Sequence, residues 1–419
     1  MKRVAVFLAV TFVLTWAYEF GVVYPIATGA LVGLPATLTQ LAVGGAMFFP
    51  ALAVVVTRLV TREGFRNSVL KPRRFKQSFP WFLVAWFGPS VLIVVGAGVY
   101  FLCFPNDFSA SMDYLVAATQ QALAAQGAPA VDPELLRMSQ YLTLAIAVVL
   151  GGVINIVPTF GEEWGWRGYL VPKMASRLHI VPTLLITGVI WGVWHAPLTA
   201  LGHNYGMGYP GWPFAGIAAM CVFCVVCGIF LTYVTERTGS CLAAAIGHST
   251  INAMAQAGII FSLTGGNPFV GPGPFGIVGG CAFIVVAALM LWDLHRREKA
   301  GTLRMPQAGL PDGCLLYTSP GRRPAAERRR EVARAGARRT PHGRGLRRHH
   351  AAGHHRVFGV GLRAPVRPDR WRGRRGQVRL ERSRAHRSGR LRRQLDRVRG
   401  GRHPVRHRVP CLLYTSRCV

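Results

Sequence analysis

The sequence predicts an all-α polytopic membrane protein with about eight transmembrane helices. Apolar stretches near the ~20 residues that cross ~30 Å of hydrocarbon recur along residues 1–313. Lys and Arg, in addition, are almost confined to alternate connecting segments of these residues. The candidate spans are 4–24, 38–60, 80–104, 140–160, 181–201, 214–235, 241–263 and 275–292.

The distribution of basic residues sets the expected orientation. If Lys2 and Arg3 lie inside and the spans alternate, the basic 58–76 loop is cytosolic and Arg137 is the single Lys or Arg in the outside segments. We therefore expect an integral membrane protein of a bacterial plasma membrane, with both ends of residues 1–313 in the cytosol. A cleaved signal peptide is the alternative for the first segment, but its apolar run is long and lacks a clean small-x-small cleavage site.

The spans and their loops divide the chain into parts. Residues 1–139 hold the first three helices and the longest outside loop, in which an Ala- and Gln-rich stretch at 117–126 predicts a surface helix. Residues 140–300 hold helices four to eight, and residues 301–313 form a short cytosolic end. Residues 314–419 form an Arg-rich tail that supplies most of the net charge of +32.

The Arg-rich tail is expected to be artefactual or disordered. From Pro320 onward it contains no Lys, Ile, Asn or Met, a composition that GC-rich DNA gives when it is read in a wrong frame. An identical hexapeptide, Cys-Leu-Leu-Tyr-Thr-Ser, brackets it at 314–319 and 411–416 and resembles the translation of a transposon-end sequencing adaptor. We therefore exclude the tail from the fold and expect no nucleic-acid partner despite its charge. A solvated, disordered basic tail is the alternative.

One cysteine cluster has the spacing of a metal site. Cys221, Cys224 and Cys227 show the C-x2-C-x2-C pattern of metal or cluster ligands, but a fourth ligand is absent and their neighbours include Val, Phe and Met. We interpret the three as small apolar residues in a packed helix.

Ionisable residues among the apolar segments indicate a functional site, because such groups are expensive at membrane depth. Glu162, Glu163 and Arg167 occur in the stretch Glu-Glu-Trp-Gly-Trp-Arg. In a helix Glu163 and Arg167 lie on one face and can pair, whereas Glu162 is rotated from Glu163 by about a quarter turn. Glu162 is then free to act as a base in a cavity. An ordinary ion-pair network at the cytosolic end of the fourth span is the alternative.

Two later segments carry histidines that are natural partners for these carboxylates. His195 follows Trp191 by one helical turn. His248 and Asn252 are also four residues apart, so both side chains can converge on one point. Interhelical hydrogen bonding is the structural alternative. His203, in a Gly- and Tyr-rich outside loop, is expected to be interfacial rather than part of the site.

The motifs Glu-Glu-x-x-x-Arg, aromatic-x-x-x-His and His-x-x-x-Asn follow one another on successive apolar segments. Together they resemble the CPBP (Abi) family, which comprises CAAX prenyl protease 2-like and bacteriocin-processing membrane proteins. The resemblance covers about residues 140–255, and one departure is Trp191, which stands where Phe is common. It implies an eight-helix intramembrane endopeptidase that hydrolyses peptide bonds of membrane-associated, prenylated or leader peptides.

The resemblance also implies roles for the motif residues. The catalytic side chains would be Glu162, His195, His248 and Asn252, and the supporting ones Glu163, Arg167 and Trp191. Glu162 and His195 would activate water. His248 and Asn252 would stabilise the oxyanion of the tetrahedral intermediate.

A metal-dependent mechanism is an alternative that the sequence permits. Glu162, His195 and His248 are an acceptable set of ligands for a catalytic Zn²⁺. We favour a mechanism without a cofactor, because no His-Glu-x-x-His helix is present and Asn252 is a poor zinc ligand but a good oxyanion donor.

Functions other than proteolysis would use the same residues differently. A non-catalytic bacteriocin-immunity protein could keep the motifs as a structural polar core. A transport protein would use Glu, Arg and His as a proton relay, although no obvious repeat relates the two halves of this chain. The expected partners are a peptide or protein substrate at the membrane and the lipid bilayer.

We predict that cysteines introduced in the 58–76 loop react from the cytosolic side, and cysteines introduced in the 105–139 loop from the outside. The reason is the charge asymmetry between these loops. An impermeant maleimide applied to intact and to opened cells measures the sidedness. Labelling near Arg73 from outside would show that the helix count or the orientation is wrong.

Overall fold

The computed structural model describes residues 2–30, 37–124 and 127–306, so the Arg-rich tail lies outside the described residues. Within these ranges the chain forms helices and loops and no strand, which confirms the predicted all-α class. The helices are α1 (Lys2–Ala27), α2 (Leu38–Val60), α3 (Phe75–Cys103), α4 (Asp113–Ala124), α5 (Pro133–Ile154), α6 (Ile156–Gly165), α7 (Val171–Ala175), α8 (Ile180–Trp194), α9 (Ala196–Ala200), α10 (Phe214–Thr238), α11 (Cys241–Met254) and α12 (Cys281–Lys299).

The polytopic membrane class is confirmed, while the count of eight spans stays a prediction. Five helices in the described part of the chain are long and apolar enough to cross a membrane: α1, α2, α3, α5 and α10. Two predicted spans are shorter in the structure than in the prediction: α8 has 15 residues and α11 has 14. The expected surface helix is present as α4.

Helix α11 lies at the centre of the fold, where it packs against α3, α5, α6 and α10. Its alanines at 243–245 are fully buried, so neighbouring backbones can approach closely. Hydroxyls add hydrogen bonds between helices: Ser249 Oγ donates to the carbonyl of Gly151 at 2.6 Å, and Thr250 Oγ1 donates to that of Trp86 at 2.8 Å. Such contacts hold helices together where lipid removes the hydrophobic drive.

Two residues encode the sharp turn between α10 and α11. Gly239 has a φ of 78°, in the left-handed region that favours glycine after a helix end. Ser240 then begins α11, because its Oγ accepts a hydrogen bond from the N–H of Leu242 at 3.3 Å. The short turn keeps α10 and α11 adjacent, so that α10 packs against one side of α11.

Glycines on one helix face permit close contact between helix pairs. Gly188 and Gly192 of α8 face α10, and a Cβ on Gly188 would lie 2.6 Å from the Cα of Val225. Gly161 of α6 approaches α2 in the same way, since its Cβ would lie 2.7 Å from the carbonyl oxygen of Met47. This is the small-residue packing typical of membrane helices.

We predict that Gly188→Ala lowers the melting temperature in detergent, because its Cβ would overlap the backbone of Val225 and overpacking costs ~1–3 kcal/mol. Gly98→Ala in α3 is the matched control, since nothing lies within 4 Å of a Cβ there. It should leave the melting temperature unchanged or raise it, because Ala favours a helix over Gly. Equal melting temperatures would contradict the close packing of α8 on α10.

Candidate active site

A cavity of about 220 Å³ lies among α2, α6, α8, α10 and α11. Side chains from three separate motifs line it: Glu162, His195, His248 and Asn252. The first three are buried and Asn252 is half-buried. The fold thus brings the predicted catalytic side chains to one place.

Glu162 lies at the wall of this cavity with 2% of its surface exposed. Its Oε2 accepts hydrogen bonds from the indole N–H of Trp191 at 2.8 Å and of Trp166 at 3.4 Å. Two N–H donors favour the ionised carboxylate, which has little water around it. Trp166 was not among the predicted site residues, although it lies four residues after Glu162 on the same helical face.

His195 stands where α8 ends, next to the cavity. Its Nδ1 lies 2.8 Å from the carbonyl oxygen of Trp191. A carbonyl oxygen can only accept a hydrogen bond, so Nδ1 carries the ring proton and is the donor. In the neutral ring Nε2 is then unprotonated, which leaves a lone pair available to a substrate or a water molecule.

Glu163 is fully buried and contacts Arg167 and His248. Its Oε1 accepts from Arg167 at 2.9 Å, the contact that the spacing predicts, and from Nδ1 of His248 at 3.0 Å. The Arg167 guanidinium also lies over the Trp191 ring, 4.1 Å from its centroid. The contacts of Glu163 therefore extend from α6 to α11. The sequence indicated His248 as a partner for the carboxylates but not which of the two it contacts.

The cluster contains acidic and basic side chains in equal number. Two carboxylates, Glu162 and Glu163, accompany Arg167 and a histidine that is able to carry a second positive charge, His248. Buried charges are tolerated when opposite charges and hydrogen bonds compensate them. The cluster therefore keeps ionised groups beside a cavity in an apolar helix bundle.

His203 also belongs to the cavity, contrary to the expectation that it is interfacial. Its ring stacks parallel to that of His195, with centroids 6.2 Å apart and planes at 2°. The loop after α9 returns over the cavity, and Gly202 with a φ of 95° contributes to that path. Neither helical spacing nor hydropathy could have indicated this contact, because it depends on the folded course of a loop.

The predicted zinc ligands lie in the lining of this cavity. Among residues 2–30, 37–124 and 127–306, no three His, Cys, Asp or Glu side chains are placed to hold a metal ion. This arrangement therefore gives no support to Glu162, His195 and His248 as ligands of a Zn²⁺ ion. The cysteines at 221, 224 and 227 are free thiols.

Two comparisons with known proteins match the part of the chain that holds this cavity. A family profile described as type II CAAX prenyl endopeptidase Rce1-like matches residues 142–254, which contain the three motifs. CAAX prenyl protease 2 of Methanococcus maripaludis is 26% identical over 153 residues, which are 34% of this chain and 48% of that protein. The chain thus spans about half the length of this curated relative. The three motifs lie within the matched residues, so over residues 142–254 the chain is similar to type II CAAX prenyl endopeptidases of the Rce1-like family.

Proposed function

We propose that the protein is an intramembrane endopeptidase that cleaves membrane-associated peptides or proteins. The observation that carries the proposal is Glu162, a buried carboxylate held by two indole N–H groups at a cavity that it shares with His195. Prenylated proteins and leader peptides are the substrate classes that fit best. The name of the relative, CAAX prenyl protease 2, supports the first of these classes.

Glu162 and His195 supply the acceptors that activate water. A water molecule between them donates one hydrogen bond to the free Glu162 oxygen and one to Nε2 of His195. Glu162 takes a proton as the water oxygen attacks the peptide carbonyl carbon, and the same proton then passes to the leaving amine. Water is consumed, the C–N bond breaks, and the carboxyl and amine products balance the reaction.

His248 and Asn252 supply donors for the oxyanion of the tetrahedral intermediate. Nδ1 of His248 donates to Glu163. In the imidazolium form both ring nitrogens carry protons, and Nε2 is then a second donor. The Glu163 carboxylate compensates that charge. The Asn252 amide gives a second donor at the same cavity wall, and preorganised donors of this kind stabilise developing negative charge.

We predict that Glu162→Gln and Glu163→Gln fail differently. Glu162→Gln removes the base but keeps shape and polarity, so turnover falls by at least ~10²–10⁴ while the melting temperature barely moves. Glu163→Gln removes the negative charge of the buried side chain that contacts Arg167 and His248. Breaking such a buried pair commonly costs ~3–5 kcal/mol of stability. It should therefore lower both stability and activity.

The measurements are the melting temperature in detergent and the new peptide termini that appear in membranes of cells making each variant. Loss of activity only in Glu163→Gln, at an unchanged melting temperature, would reverse the two roles. Identical termini in cells with the wild-type protein and with Glu162→Gln would refute the protease and favour a non-catalytic immunity or transport protein.

We further predict that chelators leave the proteolytic activity unchanged, because the mechanism uses only protein side chains. The purified protein is treated with 1,10-phenanthroline and with its non-chelating 1,7 isomer as the control. Cleavage of a membrane peptide is then followed. Inhibition by the chelating isomer alone, reversed by added Zn²⁺, would establish a metal mechanism in place of this one.

A further inference from the structure

A second cavity, of about 330 Å³, lies on the other side of the segment that follows His195. We call it the Glu19 cavity. It is lined by Trp16, Glu19, Phe20, Tyr24, Ala196, Pro197, Ala200, Leu201 and Trp212. Its walls are apolar and aromatic, with one acidic residue among them.

Glu19 lies in a π turn of α1, Glu19–Val23, a type of helix defect that is frequent at functional sites. It is 1% exposed, and within the described ranges neither carboxylate oxygen has a hydrogen-bond partner. The undescribed residues 31–36 contain no ionisable side chain that could pair with it. Every other acidic side chain in the described residues accepts at least one hydrogen bond. Glu19 therefore differs from them in lacking a donor for its buried carboxylate.

A carboxylate in such surroundings requires a compensating cation or a proton. The aromatic rings that line the Glu19 cavity favour a cation, because the faces of Trp, Tyr and Phe attract ammonium and guanidinium groups. Glu19 and Glu162 also lie close enough to repel each other. A bound cation would remove that repulsion, whereas a neutral ligand would not.

We propose that the Glu19 cavity binds a basic side chain of the peptide substrate, with Glu19 compensating its charge. This inference rests on the proposed function. It is supported by the position of the segment after His195, where Leu198 lines the active-site cavity and Pro197 and Leu201 line the Glu19 cavity. The segment after His195 is therefore a wall that the two cavities share.

The first experiment measures specificity. The full chain is reconstituted in liposomes with lipidated peptides in which each position around the cleaved bond is in turn Lys or its uncharged analogue norleucine. At one position the wild-type protein should cleave the Lys peptide faster, and in Glu19→Gln the Lys-to-norleucine rate ratio should fall by about tenfold or more. Val22→Ala, an exposed change in the same turn, is the matched control and should keep the ratio.

The second experiment measures binding without cleavage. A photoreactive alkylammonium and the corresponding alcohol are cross-linked to the protein, and labelled residues are mapped by mass spectrometry. The ammonium should label the walls of the Glu19 cavity in the wild-type protein and in Glu162→Gln, but not in Glu19→Gln. If Glu19→Gln does not insert, Tyr24→Leu should weaken ammonium labelling and Tyr24→Phe, which keeps an aromatic ring, should retain it.

The two experiments separate failure of the site from failure of the proposed function. Equal labelling by the ammonium and the alcohol, or labelling that Glu19→Gln does not change, would overturn the cation site whether or not any peptide is cleaved. An unchanged Lys-to-norleucine ratio in Glu19→Gln would overturn its role in specificity. Ammonium labelling without any peptide cleavage would retain the cation site and remove its assignment to a protease substrate.

Discussion

The contacts of Glu163 are the constraint on which the rest of the site depends. Its buried carboxylate accepts from Arg167 on the same helical segment and from His248 on α11. In an apolar bundle a carboxylate without these partners would be strongly destabilising. Because α11 also packs against α3, α5, α6 and α10, the Glu163 cluster links the position of His248 at the cavity to the arrangement of these helices.

Trp191 connects this cluster to the carboxylate at the cavity. Its indole N–H donates to Glu162, its carbonyl accepts from His195, and its ring lies beneath the Arg167 guanidinium. In the sequence motif, Trp191 is a mild departure from the Phe that is common at this position, since both residues are aromatic. The structure shows a difference, because Phe has no N–H to donate. In this chain the second motif therefore supplies a hydrogen-bond donor to the proposed base as well as a packing surface.

The sequence predicted what local geometry determines and missed what depends on distant contacts. The Glu163–Arg167 pair follows from spacing on one helix, and it persists although a π turn begins at Trp166. The contact between Glu163 and His248 joins residues 85 positions apart, and the stacking of His203 on His195 depends on a loop. The unpartnered Glu19 was not recognised for a related reason: its cavity is formed by α1 together with the segment after His195.

The helix interruptions at Asn155 and His195 and the candidate site have the same physical cause. Continuous α-helices satisfy their own backbone groups, so irregular backbone at membrane depth is tolerated only where protein or a cavity provides partners. The helical backbone is interrupted at Asn155, whose N–H donates to Ser249 Oγ at 2.9 Å, and at His195, where α8 ends. Both residues line the cavity that holds Glu162. Averaged hydropathy cannot detect such breaks, and it therefore reads α8 with α9 as one span. The interruption that shortens α8 is also what places a histidine ring, rather than another turn of apolar helix, beside Glu162.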